Sequence, residues 1–173
     1  LGAAMIGGMI LGLLLSPALM RRWSRRQSLI ASNVGAALAY GTLFLLGHGS
    51  VVVVAAGLFV VGVTLGVTLV ASTAMIGDTA DDTELRTGER TDGSCFAGLT
   101  FTAKLNTALA TMVFGFAVAA SGYESGTPVT EGMRTLTWGA CTVVPAASAL
   151  LAIVPLLRYA VDERTLPARL AQS

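Results

Sequence analysis

Residues 27 to 77 read QSLIASNVGAALAYGTLFLLGHGSVVVVAAGLFVVGVTLGVTLVASTAMIG, 51 positions from Gln27 to Gly77 without one Asp, Glu, Lys or Arg. As one straight helix they would measure about 75 Å, more than twice the roughly 30 Å hydrocarbon core of a bilayer, so the run must hold two crossings. Gly47-His48-Gly49-Ser50 is the natural breaker between them. Outward from this run, Leu1 to Met20 carries no charge, Thr135 to Leu157 carries none over 23 residues, and between Gly93 and Tyr123 the only charge is Lys104. Five spans follow, at about 1–20, 28–47, 51–76, 95–120 and 135–157. The expected fold is an all-α membrane helix bundle over residues 1–158, with a connecting loop at 77–94 and a tail at 159–173.

Composition agrees with the pattern. The 173 residues are 54% hydrophobic and 12% charged, against about 25% charged in a soluble domain. That excludes a water-facing globular enzyme. A net charge of +1, with arginines in short clusters beside apolar runs, offers no basic face for a nucleic acid. Cys95 and Cys141 lie inside or at the edge of apolar runs, where they read as small packing residues, and a single histidine cannot build a metal cluster. No metal or cofactor is expected, and no Gly-Lys-Ser/Thr follows the glycines to cradle a phosphate. The chain opens inside a hydrophobic span, which reads as a fragment lacking its amino-terminal part.

Arginines in the connections set the orientation, since positive residues near span ends stay on the cytoplasmic side. Arg21, Arg22, Arg25 and Arg26 follow the first span, Arg86 and Arg90 the third, and Arg158, Arg164 and Arg169 the fifth, whereas only Arg134 lies on the opposite side. The carboxyl terminus is therefore expected in the cytoplasm and the start of the chain outside. Within the spans, Gly8-x-x-x-Gly12 and Gly62-x-x-x-Gly66 have the spacing that lets helices approach closely, and packing is the reading preferred for both. Pro145 and Pro155 are positioned to kink the last span.

Lys104 lies about ten residues, or roughly 15 Å, into its span, near the bilayer midplane. A charge there is expensive unless it meets water, a partner or a substrate, so it marks a functional position; the plainer alternative is an acidic partner that only fixes helix packing. Thr100, Lys104, Thr107 and Thr111 are spaced four, three and four apart and share one helix face. That face can hydrogen-bond a polyol, or its ammonium can pair with a carboxylate that holds a cation. Alternatively, the threonines only bond their own backbone. Thr64, Thr68 and Ser72 make a second stripe that either lines the same cavity or packs. The run from Asp78 to Asp92 interleaves both signs of charge, which suits weak pairs, each contributing about 0 to 1 kcal/mol, that can close and reopen a gate. A solvated anchoring loop is the alternative.

The stretch Asp78-x-x-Asp81-Asp82-x-Glu84-x-Arg86-Thr87-Gly88-x-Arg90, followed by Gly93, Phe96 and Thr100-Phe101-x-x-Lys104, resembles the carboxyl-terminal signature of the melibiose-permease-like symporters. These are the glycoside, pentoside and hexuronide:cation symporters of the major facilitator superfamily. Ser16-Pro17 followed by Arg21-Arg22-Trp23-Ser24-Arg25-Arg26 is similar to the superfamily's basic turn between helices eight and nine. The resemblance implies that the five spans correspond to helices 8 to 12 of twelve and that an amino-terminal half is the partner of this one. It places Lys104 and Thr100 at the central cavity, and Asp78, Asp81, Glu84, Arg86 and Arg90, with Asp92 beside them, at the cytoplasmic gate. Asp82, Leu85 and Asn106 depart from the pattern, and Leu69 stands about where some sugar-transporting members have an indole.

The expected function is cation-coupled symport of a sugar or glycoside by alternating access, with Na+ or H+ as coupling ion, in a bacterial cell membrane. Its partners would be the lipid bilayer and a small solute, and no enzymatic step is involved. Two alternatives stand beside it: a superfamily exporter of a drug, lipid or organic ion, and a non-transporting membrane scaffold or sensor. The coupling carboxylates of the family lie mainly in its amino-terminal half.

Overall fold

The computed structural model describes residues 1–47, 49–89, 91–123 and 128–159, which form six helices and, among the described residues, no strand. They are α1 (Gly2–Arg22), α2 (Arg25–Leu46), α3 (Val51–Thr87), α4 (Asp92–Ala120), α5 (Glu131–Leu151) and the short α6 (Ile153–Leu157). Five crossings are long and apolar enough to span a bilayer, the last formed by α5 and α6 together. The chain is an all-α, multi-pass membrane protein.

Close approach of α1 to α3 sets the arrangement. Gly8, Gly12 and Ser16, spaced four apart, are the buried residues of α1. A Cβ added to Gly8 would collide with the carbonyl of Phe59, and one on Gly12 with that of Val63; from the other side, Gly62 faces the Met5 carbonyl and Gly66 that of Met9. The two four-residue glycine repeats therefore meet each other, and their missing side chains let the backbones touch. Ser16 donates its hydroxyl to Gly12 O at 2.8 Å, so the polar member of the stripe is satisfied within its own helix.

On the other side of α3 lies α2. Ser32 and Thr68 share a hydrogen bond at 2.9 Å, and Thr64 is buried, with its hydroxyl donating to Val61 O at 2.8 Å. The stripe Thr64, Thr68 and Ser72 thus packs, at its first two positions, against α2. Leu29, Ala71 and Met75 form a buried cluster, edged by Met20, Leu156 and Tyr159. α5 packs on α2, α6 reaches the start of α2, and α4 leans on α3 and α5 without burying a single residue.

The local signals explain the breaks. Ser24 caps α2 in a reciprocal capping box with Gln27, so α1 and α2 are separated by two residues only. Gly88 adopts φ 72°, ψ 3°, the left-handed conformation that ends α3. Pro145 sits inside α5 without ending it, whereas Pro155 coincides with a break at Ala152, as its ring would crowd the Leu151 carbonyl of a continuous helix.

One expectation is corrected. The connection placed at 77–94 is helical up to Thr87, and α4 already begins at Asp92, which leaves residues 88–91 between the helices. Residues 78 to 87 contain neither Gly nor Pro, Arg86 pairs with Asp82 at 3.0 Å, and Thr79, Thr83 and Thr87 each bond the carbonyl four residues back. Charge density signals exposure, not loss of helix. At 37 residues α3 is about 55 Å long, so its charged end projects well beyond a hydrocarbon core.

Candidate functional site

Two places gather chemistry. The first is the end of the bundle where α1 closes, α2 opens, α3 closes and α6 ends, here the arginine-rich end. Asp78 is buried at 8% exposure and forms an ion pair with Arg25 of the α2 first turn, across 53 positions of sequence. Its second oxygen, Oδ2, is buried without a hydrogen-bond partner. Arg26 donates to Leu157 O at 2.9 Å and Tyr159 donates its hydroxyl to Met75 O at 3.3 Å, so side chains from two elements lock α2, α3 and α6 together.

Of the residues expected at the gate, Asp78 is the one that this network uses. Arg86 pairs within α3, with Asp82, and remains exposed; Asp81 and Glu84 are half-buried with no ion pair among the described residues. Asp92 lies in the first turn of α4, where a carboxylate suits the positive end of the helix dipole. Arg90 and the tail from 160 onward lie outside the described residues. Sequence reasoning missed Arg25 as a partner: it entered through the orientation and the basic turn alone. The available signal was Asp78 itself, an acid one residue past a 51-residue uncharged run, which needs a nearby cation.

The second place is the middle of α4. Thr100, Lys104, Thr107 and Thr111 occupy one exposed face, in a stretch where residues 100 to 116 are all exposed. Thr100 donates to Phe96 O, Thr107 to Ala103 O and Thr111 to Thr107 O, each at 2.9 Å. The hydroxyl protons are therefore spent on the backbone, which leaves three oxygens as acceptors and one ammonium as the charged donor. Lys104 has no acidic partner among the described residues. Phe101, Phe114 and Phe116 are exposed along the same helix. A helix so apolar and so uncovered needs lipid or a further helix layer against it.

A family model described as MFS/sugar transport protein matches residues 1–163. The chain belongs to that family. Among curated relatives of this family member, a candidate 2,3-dihydroxypropane-1-sulfonate exporter of Escherichia coli (strain K12) is 29% identical over 171 residues, covering 95% of this chain and 36% of the relative. A candidate sulfoquinovose importer of Salmonella typhimurium (strain LT2) is 32% identical over 130 residues, covering 71% of this chain and 26% of the relative. The chain thus spans about a third of the length of these curated relatives. No solved structure matches it. The family match agrees with the resemblance read from the motif at the level of the superfamily.

Proposed function

We propose that the chain is the carboxyl-terminal part of a secondary transporter that carries a sulfonated sugar or polyol across the cell membrane, coupled to Na+ or H+, by alternating access. The observation that carries the proposal is Lys104, a single ammonium in the middle of an apolar spanning helix with no counter-charge among the described residues. A sulfonate supplies that counter-charge as an acceptor-only anion, and the solute's hydroxyls can donate to the three threonine oxygens whose own protons are spent. Both solutes named for the relatives are hydroxylated sulfonates, which fits this division of labour.

In this reading the cell is bacterial and the arginine-rich end faces its cytoplasm, which the arginine asymmetry supports. The Arg25–Asp78 pair, with Asp81, Glu84, Arg86, Arg90 and Asp92 around it, forms the cytoplasmic gate. Asp78 Oδ2 is free to accept a donor from the other half of the transporter when the gate closes. Solute and cation enter from outside, the halves rock about the midplane site, and the gate separates to release them. No bond is made or broken, and no resident cofactor is required.

Vesicles containing the full-length protein test the proposal. Sulfoquinovose uptake should exceed that of unsulfonated glucose, and Lys104→Ala should lower it by about tenfold to a hundredfold, since a charge-assisted hydrogen bond contributes roughly 1.5–3 kcal/mol. Unchanged uptake in the variant would remove Lys104 from the site. A second reading, export of an organic sulfonate, is favoured by the name of the Escherichia coli relative, and faster accumulation in inverted than in right-side-out vesicles would select it.

A further inference from the structure

Where the α1–α2 turn meets α3, beside the Arg25–Asp78 pair, lies a cavity of about 350 Å³. Its wall combines Arg21, Ser24 and Arg25 with Met20, Trp23 and Ala74, so the lining is both cationic and apolar. The basic residues of this turn are not equivalent. Arg25 is committed to Asp78 and Arg26 to Leu157 O, whereas Arg21 is exposed and engages no group among the described residues. Arg22 is equally exposed but does not line the cavity.

Position supplies the rest of the argument. α1 has 21 residues and therefore spans about 32 Å, the thickness of a hydrocarbon core, which puts Arg21 at headgroup depth. Trp23, 47% exposed in an extended link between the two helices, has the amphipathic ring that settles at that interface. A guanidinium matches a phosphate with two parallel hydrogen bonds, and basic pockets between spanning helices select anionic headgroups.

We propose that this cavity is a binding site for an anionic phospholipid, its phosphate held by Arg21 with Ser24 and its first acyl carbons against Met20, Trp23 and Ala74. The occupant is a lipid rather than a free anion because apolar Met20, Trp23 and Ala74 share the lining with the arginine at the depth where α1 ends. The site makes no use of Lys104 and is independent of which solute is carried.

The test is native mass spectrometry of the full-length protein in detergent, titrated with phosphatidylglycerol or phosphatidylcholine. The wild type should retain phosphatidylglycerol preferentially. Arg21→Gln should weaken that retention about fivefold, the factor one arginine is worth near an anionic surface, while Arg22→Gln, one residue away and outside the cavity, leaves it within twofold. Arg21→Lys, which keeps the charge without the fork, should fall between wild type and Arg21→Gln. Equal losses in Arg21→Gln and Arg22→Gln would show diffuse surface charge and overturn the site. So would equal retention of the two lipids by the wild type. Displacement of phosphatidylglycerol by millimolar inorganic phosphate would assign the cavity to a free anion and overturn the lipid.

Discussion

Asp78 shows how a single residue reads differently alone and in place. Its carboxylate is buried and its ion-pair partner among the described residues, Arg25, is about a third exposed, so the pair lies between a surface pair worth about 0 to 1 kcal/mol and a buried one whose breaking costs about 3 to 5. Arg25→Gln should therefore destabilise the full-length protein by about 2 kcal/mol, because it strands a buried charge, and the double substitution Arg25→Gln with Asp78→Asn should recover most of that loss. Thermal unfolding in detergent measures it; additive losses would show that the two side chains do not depend on each other. Lys104 could be singled out from the sequence because one charge in an apolar run needs no neighbour to be conspicuous. Arg25 could not, since its role depends on an acid 53 positions away, and only the folding of α2 onto α3 brings them together.

At the scale of elements, the glycine repeats carry the architecture. Gly62 faces a backbone carbonyl of α1, so Gly62→Leu must push the helices apart and should cost about 2 kcal/mol or more, while Gly41→Ala, with open space around its Cα, should change stability by less than about 1 kcal/mol. Comparing the two in the same unfolding assay checks the packing; equal effects would mean that α1 and α3 do not touch there. Both repeats were legible in the sequence as packing motifs, but not as partners of each other, because spacing states that a helix has a close face and not which helix meets it. The five crossings were legible for a simpler reason: four apolar runs of about 20 residues without charge, and a fifth with Lys104 alone, are a solvent signal that tertiary context does not alter. The end of α3 departs from the expected loop because charge marks exposure, whereas the backbone follows the absence of Gly and Pro until Gly88. The Arg25–Asp78 contact was beyond reach for the same reason as the glycine pairing.

For the whole molecule, the uneven burial is the informative quantity. α3 is covered by α1 and α2, while α4 buries nothing, and one of its faces bears an ammonium and three hydroxyls beside exposed phenylalanines. If that face lines the solute route, water must reach it, and the opposite face of α4 is then the one to be covered by hydrocarbon or helix. Position 107 lies on the ammonium face and position 113 about half a turn around from Lys104. The decisive measurement is labelling of Thr107→Cys and Val113→Cys by a membrane-impermeant thiol reagent, each in an otherwise cysteine-free full-length protein in vesicles. The account predicts that Thr107→Cys reacts, that sulfoquinovose slows its reaction, and that Val113→Cys stays inert; an inert Thr107→Cys in a protein that still transports would contradict it.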